Sequence, residues 1–282
     1  MNTFFLIIRE EKTTNLNFSL IYLKADSYLT HYWPICNSQM TDLIGLAHMQ
    51  QGENTTFTSD RFDNPDSALA LNGGWTYVSS GVYFSGPQFS ITLWVFPKTV
   101  GSWARIIDFG TVNGDIVVIS LSESYTNKPY FGIFTSTNIF SNTTSTQPLT
   151  LNNWQFLAAT FDGSSLLIYI NGVLTGSTSV PSFTSLAPLT RTNNYIGKSN
   201  WNDDGYSSSY FDDLRFYNIS LTQLQLIDIM VSNETNCNST TTTTTTFTTP
   251  TTTTTTTFTT TSSTTITAFT TSTSATAAGT CM

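Results

Sequence analysis

Hydrophobic and polar positions alternate with a period of two in the middle of the chain. In the clearest stretch, Phe89, Ile91, Leu93 and Val95 occupy one side of an extended backbone, and the side chains between them occupy the other. This period is typical of a β-strand whose two faces meet different surroundings. We therefore predict a strand over residues 89–96.

The same signal recurs along the chain, and turn residues separate one apolar stretch from the next. Asp162-Gly163 and Asn171-Gly172 are strong hairpin signals, because tight two-residue turns need a positive φ angle at both central positions. The two turns predict a three-stranded antiparallel meander. Besides 89–96, strands are predicted over residues 29–35, 68–71, 76–78, 81–84, 105–109, 116–121, 130–135, 154–161, 166–170, 173–177 and 210–217.

One short helix is predicted over residues 221–230, with Ser220 as its N-cap. Its buried side is expected to carry Leu221, Leu224 and Ile227 or Ile229. Many short strands with turn signals between them are typical of a β-sandwich or jelly roll. The predicted fold class is therefore all-β, an antiparallel two-sheet β-sandwich with a short C-terminal helix.

The composition divides the chain into three segments. The sandwich is expected to span residues 28–235, after a segment of uncertain structure over residues 1–27. From Thr240 to Thr280, 31 of 41 positions are Ser or Thr, and no charged residue follows Glu234. Such a segment has too little apolar surface to form a packed core. Residues 240–282 are therefore predicted to be disordered, and their composition matches an O-glycosylated, mucin-like stalk.

The charge of the chain argues against nucleic acid as a partner. Ten basic residues stand against 18 acidic ones, giving a formal net charge of −8, and no basic patch is evident. The apolar stretch at residues 4–8 is too short for the core of a signal peptide or for a transmembrane helix. We therefore expect no membrane span in this chain, and the export signal is not clear.

Two features nevertheless indicate an extracellular protein. The first is a set of sequons for N-glycosylation at Asn17, Asn54, Asn142, Asn218, Asn233 and Asn238. The second is the position of Cys36 near the first strand and Cys237 just after the last element. In a sandwich whose first and last strands are neighbours, these two cysteines could form a disulfide; the alternative is two free thiols. Cys281 would then be an odd cysteine in the tail.

The motifs of the common hydrolytic enzymes are missing. A glycosidase needs two carboxylates that flank the scissile bond, yet the chain has five glutamates and no Glu-x-Asp-x-Glu run. The two histidines accompany no Gly-x-Ser-x-Gly nucleophile elbow. His31 is expected to be a structural residue of its strand. The sequence thus predicts a protein that is not an enzyme.

The most suggestive binding feature is a loop before the last strand. It concentrates flat aromatic rings and hydrogen-bonding side chains, a combination typical of sugar sites. The candidate ligand-binding residues are Trp201, Asn202, Asp203, Asp204 and Tyr206. The alternative is an ordinary turn with Trp201 packed under it.

An ordered series of short motifs gives the chain a family likeness. The series is His31-Tyr32-Trp33-Pro34, Ala68-Leu69-Ala70-Leu71-Asn72-Gly73, Phe89-Ser90-Ile91-Thr92-Leu93-Trp94-Val95, Trp154 before Ala159-Thr160-Phe161-Asp162-Gly163, Tyr169-Ile170-Asn171-Gly172, Tyr195-Ile196-Gly197 and Phe211-Asp212-Asp213-Leu214-Arg215-Phe216-Tyr217-Asn218. In this order the motifs resemble the laminin-G-like, concanavalin A-like jelly-roll domains. The resemblance implies a two-sheet sandwich and, more broadly, a lectin, an adhesion module or a glycosidase.

A metal site is a further expectation. On a regular strand, Asp212 would share the core face with Leu214 and Phe216, and a partly buried carboxylate needs a hydrogen bond or a cation. The resemblance implies a structural Ca²⁺ at the sandwich edge, with Asp212 as first candidate ligand and Asp63 as second. The alternative is that Asp212 accepts backbone N–H groups and binds no metal.

The neighbouring residues Asp213 and Arg215 are not expected to bind a metal. Asp213 and Arg215 would lie on the outward face of the same strand, as a solvated ion pair that contributes little to stability.

Together these features indicate an extracellular, non-catalytic binding or adhesion module on a glycosylated stalk. Its partner would be a glycan or glycoprotein, as the fold suggests. The first alternative is a structural matrix or coat component without a specific ligand. A glycoside hydrolase is the less favoured alternative.

Overall fold

The structure is a computed structural model that describes residues 25–136, 140–180 and 185–232 in full. Outside these ranges it describes the backbone of four strands. The chain divides into two compact units, Met1–Cys237 and Asn238–Met282.

The strands and helices are short, as the sequence predicts. In chain order they are β1 (Ile7–Ile8), β2 (Ser19–Leu20), a 3₁₀ turn (Ala25–Tyr28), β3 (Leu29–Trp33), β4 (Gln50–Gln51), β5 (Thr55–Thr58), β6 (Ala68–Gly74), β7 (Thr76–Val78), β8 (Phe89–Thr99), β9 (Arg105–Gly110), β10 (Ile116–Ser120), β11 (Tyr130–Phe134), β12 (Phe140–Thr144), β13 (Gln155–Phe161), β14 (Ser165–Ile170), β15 (Val173–Ser179), β16 (Asn193–Ile196), β17 (Ser207–Tyr217), α1 (Gln223–Val231), β18 (Thr240–Thr249) and β19 (Thr252–Thr261).

Two antiparallel sheets form the sandwich. The front sheet has seven strands in the order β12-β11-β10-β9-β16-β7-β4. The back sheet has eight, in the order β15-β14-β13-β8-β17-β6-β5 with β3 paired to β17. The predicted fold class is confirmed, and so is the expectation that the first strand of the sandwich lies beside its last, since Trp33 pairs with Leu214.

The core lies between the sheets and is dominated by aromatic rings. The ring centroids of Phe84 and Phe89 are 5.0 Å apart, and those of Phe109 and Phe216 are 5.5 Å apart. None of these four side chains is more than 1% exposed. Because burial of one phenylalanine contributes about 1.5–3 kcal/mol, these four rings together contribute roughly 6–12 kcal/mol to folding.

The predicted meander is present as β13, β14 and β15. Asn171 has φ 50° and Gly172 has φ 75°, as a tight hairpin turn requires. The Asn171 side chain also accepts a hydrogen bond of 2.9 Å from the backbone N–H of Phe156. The dipeptide therefore fixes both the turn and its contact with the preceding strand.

The prediction of a strand over residues 81–84 is wrong. Gly81 makes one isolated bridge with Arg191, and the following residues are not in a strand. Conversely, the sequence did not predict β12 and β16, and it allowed only one short strand within residues 36–66, where the structure has β4 and β5. These four strands are short and rich in polar residues, so their pairing partners rather than their own apolar pattern define them.

The predicted helix exists, but its N-cap and buried face are corrected. Thr222, not Ser220, is the N-cap, because it forms a reciprocal capping box with Gln225. The predicted Leu221 and Ile229 are buried, but the later start buries Leu226 in place of Leu224, which is 55% exposed.

The second unit contains the threonine segment. Its strands β18 and β19 pair as an antiparallel ribbon. A ribbon of two strands has no third layer against which to bury a hydrophobic face, and such hairpins are marginally stable in water. The disorder predicted for residues 240–282 stays a prediction.

Candidate functional site

The front sheet turns an apolar face away from the core. In β11, Phe131 and Ile133 point into the core, so Tyr130 and Phe134 point outward. On the adjacent β10, Ile116 and Val118 form an outward cluster with Tyr130 for the same reason. The alternation of each strand thus builds a second, smaller hydrophobic surface on the outside of the sandwich.

Three aromatic rings form a continuous strip across this surface. Phe140 stacks on Phe134 with 4.3 Å between ring centroids and 29° between ring planes. Trp201 lies 5.2 Å from Phe134 on the other side. Phe140 is 52% exposed and Trp201 is 41% exposed. We call Phe134, Phe140 and Trp201 the aromatic strip; its two outer rings are exposed and the middle ring, Phe134, is partly buried.

A second pair of rings lies beside the strip. Trp103 packs edge-on against Tyr130 with 5.2 Å between ring centroids. A Cβ at position 132 would come within 2.9 Å of the Tyr130 ring, so Gly132 lets the phenol lie flat across the sheet. Burial raises the pKa of the Tyr130 hydroxyl above its ordinary value of 10.

The loop that carries Trp201 is tied to the sheet by Arg105. The guanidinium donates to Asp108 (Nε to Oδ2, 3.2 Å), to the Trp103 carbonyl (2.6 Å) and to Ser120 Oγ (2.9 Å). Its remaining nitrogen donates to the carboxylate of Asp204. Arg105 is only 4% exposed, so it acts as an internal anchor for the loop.

Asp108 anchors the other end of the loop. Its carboxylate accepts from the Asn200 side chain (2.7 Å) and from the Asn200 backbone N–H (3.1 Å). Burial raises the pKa of Asp108, although Asn200 and Arg105 act to lower it. Ser199 Oγ donates to Asp204 (2.8 Å), so both ends of the loop share one hydrogen-bond network.

The residues of the predicted binding loop therefore have two different roles. Trp201, Asn202 and Asp203 are exposed, and Tyr206 is 48% exposed, so these side chains can reach a ligand. Asp204 is bound by Arg105 and Ser199 and holds the loop instead. The role of these residues in ligand binding stays a prediction.

Sequence reasoning did not find Phe134 and Phe140. The alternation in 130–135 placed Phe134 opposite the core face, which is a detectable signal. Phe140 gave no such signal, because its strand was not predicted at all. Only the pairing of Phe134 with Phe140 brings the two rings together.

Farther along the same face lies a cluster capped by a lysine. Trp75 packs against Tyr77 (5.8 Å) and against Tyr195 (5.5 Å), measured between ring centroids. Lys198 Nζ lies 4.4 Å from the Trp75 ring centroid and 4.8 Å from that of Tyr195. All four side chains are partly exposed. We call these four residues the lysine-capped cluster.

Asp212 has a protein partner in the structure. Arg61 Nη1 lies 2.9 Å from Asp212 Oδ2 and 2.8 Å from Asp213 Oδ2. Asp212 Oδ1 also accepts the backbone N–H of Asp213 at 2.8 Å. Asp63 is exposed in the turn that follows Arg61. Within the described ranges, no group of three or more acidic, histidine or cysteine residues could hold a metal ion, and the calcium site stays a prediction.

The expectation of a solvated Asp213–Arg215 pair is wrong. Asp213 is 3% exposed and Arg215 is 4% exposed. Tyr32 Oη donates to Asp213 Oδ1 (2.6 Å), and Arg215 Nη2 donates to Tyr32 Oη (2.9 Å). The pair is thus part of a buried network, because β3 covers this end of β17.

The predicted modification sites are described only in part. Asn54 and Asn218 are exposed, and Asn142 is partly exposed on the outward face of β12. Asn17, Asn233 and Asn238 lie outside the described residues. Glycosylation of these sites stays a prediction.

The cysteines are likewise described only in part. Cys36 is disulfide-bonded, and Cys237 and Cys281 both lie outside the described residues. The Cys36–Cys237 pairing stays a prediction. In the part of the chain that is described, no helix is long and apolar enough to cross a bilayer.

Comparison with known families agrees with this architecture. A family model described as the concanavalin A-like lectin/glucanases superfamily matches residues 72–226. The chain belongs to this superfamily. The matched region contains both the aromatic strip and the lysine-capped cluster. No match was found among curated proteins.

Solved structures show the same fold at low sequence identity. Domain 4 of AbnA, an extracellular GH43 arabinanase from Geobacillus stearothermophilus solved in complex with arabinotriose, has a TM-score of 0.60 and 19% identity, covering 71% of this chain and 97% of that domain. The binding domain of Paraclostridial Mosquitocidal Protein 1 has a TM-score of 0.58 and 16% identity, covering 74% of this chain and 53% of that one. The binding domain of botulinum neurotoxin serotype G has a TM-score of 0.56 and 15% identity, covering 74% and 52%.

Proposed function

We propose that this concanavalin A-like domain is a non-catalytic glycan-binding module and that the aromatic strip is its ligand platform. The observation that carries the proposal is the exposure of Phe140 (52%) and Trp201 (41%) beside the partly buried Phe134. A sugar ring presents a flat apolar face of C–H groups that can pack on such rings. Aromatic side chains are costly to expose without a partner, and they supply large rigid contact areas.

The polar side chains around the strip suit the hydroxyl groups of a sugar. Asn202 and Asp203 are exposed next to Trp201. Their amide and carboxylate groups can donate and accept hydrogen bonds in one plane. Because Arg105 and Asp108 hold the loop from below, these groups are positioned before a ligand arrives, which lowers the entropic cost of binding.

The carboxylates of the front sheet support binding rather than hydrolysis. Asp108 is fully buried and bound by Asn200 and Arg105, and Asp204 is bound by Arg105 and Ser199. A glycosidase needs one carboxyl group as acid and a second as base or nucleophile, both facing the sugar. These two carboxylates instead use their oxygens to hold the loop.

Secretion and presentation on the threonine segment belong to the same proposal. The sequons, the disulfide at Cys36 and the composition of residues 240–282 support an extracellular setting. Domain 4 of AbnA, which was solved with arabinotriose, offers support by fold analogy. The ligand here would be a glycan or glycoprotein.

A glycan array followed by calorimetric titration of the best ligand tests the proposal. We expect Trp201→Ala to lower affinity about tenfold or more, since removal of an exposed central aromatic typically costs over ~1.4 kcal/mol of binding free energy. The control is Phe62→Ala. Phe62 is 40% exposed, almost the same as Trp201, but its ring contacts Arg61, whose guanidinium also lies over Trp94 of the back sheet.

The possible outcomes separate the alternatives. A folded wild-type protein that binds no glycan would reject the proposal and favour a structural component without a specific ligand. Equal losses in the Trp201 and Phe62 variants would reject the assignment to the aromatic strip. Turnover of any polysaccharide would reject the non-catalytic role.

A further inference from the structure

The lysine-capped cluster shares the outward face of the front sheet with the aromatic strip. Tyr195 pairs with Asp108 on one side and with Tyr77 on the other, so all three point away from the core. Strands β9 and β10 lie between β16 and β11, the strand of Phe134, so three inter-strand intervals separate β16 from β11. At about 4.8 Å per interval, the backbones of these two strands lie roughly 14 Å apart across the sheet. One extended oligosaccharide can therefore contact both aromatic groups.

Most basic side chains of the described residues are already neutralised or buried. Arg61, Arg105 and Arg215 each pair with buried aspartates, and Arg191 is 0% exposed. Lys198 differs from them. No described carboxylate lies within ion-pair distance of its ammonium group, which lies over two aromatic rings.

This arrangement presents a positive charge at a fixed place. The rings of Trp75 and Tyr195 attract the ammonium group through their π-electrons and limit its movement. An ammonium group has three N–H donors, and ring contacts leave them available to an acceptor. A carboxylate is the acceptor that such a partly desolvated cation binds most strongly.

The opposite end of the face has the opposite charge. Asp203 is exposed two residues after Trp201, whereas the carboxylate of the following Asp204 is paired with Arg105. An anionic group would be repelled there and attracted at Lys198, because opposite charges attract over several ångströms near a protein surface. The charges thus give the face a direction, from an acidic end at Asp203 to a basic end at Lys198.

We propose that the lysine-capped cluster is a subsite for an acidic sugar residue. Lys198 binds the carboxylate of a uronic or sialic acid residue, Trp75 and Tyr195 contact its ring, and the neutral residues that follow lie on the aromatic strip. This inference rests on the proposed glycan-binding function and narrows its ligand class to acidic oligosaccharides.

The experiment uses matched pairs of neutral and acidic oligosaccharides with the full chain. The pairs are galactose and galacturonate oligomers, galacturonate oligomers with and without methyl esters, and N-acetyllactosamine with and without terminal sialic acid. We expect the wild type to bind the free-carboxylate member of a pair about tenfold more tightly than its neutral partner. We expect Lys198→Gln to abolish that preference and Lys198→Arg to retain it.

A second lysine provides the matched control. Lys98 Nζ lies 5.2 Å from the ring centroid of Tyr210 on the back sheet, so Lys98→Gln removes the same charge from a similar setting. We expect Lys98→Gln to keep the preference for the acidic member. An equal loss in both glutamine variants would show a general charge effect and overturn the assignment to Lys198.

Other outcomes distinguish this inference from the proposed function. Equal or tighter wild-type binding of the neutral members, lost on Trp201→Ala, overturns the acidic subsite and leaves glycan binding intact. A persistent acidic preference in Lys198→Gln also overturns the subsite. Absence of binding to every member overturns both.

Discussion

Asp42 is a single residue on which a whole loop depends. Its buried carboxylate accepts hydrogen bonds from the His31 ring (2.7 Å) and from the backbone N–H groups of Tyr32, Ile44, Gly45 and Ala47 (2.9–3.0 Å). Burial alone would raise the pKa of Asp42, but the hydrogen bonds outweigh it and lower the pKa to about 2. The expectation that His31 is structural agrees with this contact.

The depressed pKa of Asp42 predicts an acid-sensitive contribution to stability. Because the folded-state pKa lies below the ordinary 3.8, the contribution is complete above about pH 4 and is lost as the pH falls through about 2. The difference corresponds to roughly 2.5 kcal/mol. Urea unfolding at pH 7, 4 and 2 should show Asp42→Asn destabilised at pH 7 and less pH-dependent than wild type.

The control for Asp42 is Asp203→Asn. Asp203 is exposed, so its substitution should leave the free energy of unfolding unchanged at each pH. If Asp42→Asn followed the same pH curve as wild type, Asp42 would not be the source of the acid sensitivity.

At the scale of elements, β17 is the strand that departs most from its sequence pattern. It pairs with β6 through Phe211 and with β3 from Leu214 onward. Between the two partners Asp213 adopts φ 53°, and the register with β8 shifts. The bulge puts Phe211 and Leu214 on the same core side, whereas regular alternation would have placed them on opposite faces.

The same bulge leaves the carboxylates of Asp212 and Asp213 buried side by side. Burial and the neighbouring Asp213 carboxylate raise the pKa of Asp212 well above its ordinary value, although Arg61 acts to lower it. Arg61 also lies over the rings of Phe62 and Trp94 (4.4 and 4.7 Å). One guanidinium therefore joins the loop before β6 to the last strand of the sandwich.

Removal of Arg61 should destabilise the protein, because the buried carboxylates would lose their positively charged partner. We expect Arg61→Met to lower the free energy of unfolding by about 3–5 kcal/mol, since it leaves buried charges without a partner. Because the raised folded-state pKa makes ionised Asp212 unfavourable, the loss should be larger at pH 8 than at pH 5. Chemical unfolding at both pH values measures it.

A double-mutant cycle provides the control. In an Asp212→Asn background, Arg61→Met should cost less, because one of the two stranded charges is already gone. If the losses in free energy of unfolding were additive, the Arg61–Asp212 contact would contribute no coupling energy.

At the scale of the whole molecule, the sandwich contains everything that the proposed site needs. The front sheet, the back sheet and α1 all belong to the unit Met1–Cys237. The threonine segment belongs to the unit Asn238–Met282. In the proposed function, the first unit binds the glycan and the second unit presents the first.

Truncation tests these roles of the two units. Deletion of residues 238–282 should leave the melting temperature and the glycan affinity unchanged, because the core and both aromatic groups remain. Deletion after Asn218 is the contrasting control and should destabilise the sandwich, since it removes Leu226 and Ile229 from their contact with Phe156. A loss of glycan binding on the first deletion would contradict the division. Differential scanning calorimetry and titration measure both quantities.

The sequence by itself determined the fold class and the positions of the two hairpin connections. Both follow from local chemistry, namely period-two alternation and the Asp-Gly and Asn-Gly turns, although only Asn171-Gly172 has a positive φ at both positions. It also pointed to Trp201, because an exposed aromatic among amides and carboxylates is a local signal.

Tertiary structure alone decided which residues accompany Trp201 and what surrounds Asp212. Phe140 joins the aromatic strip only because β12 pairs with β11, and Arg61 reaches Asp212 only because a bulge turns that carboxylate away from the core. Such contacts join residues far apart in the chain, and a one-residue change of register reverses which face a side chain occupies. A local pattern cannot encode that choice, because it depends on the partner strand.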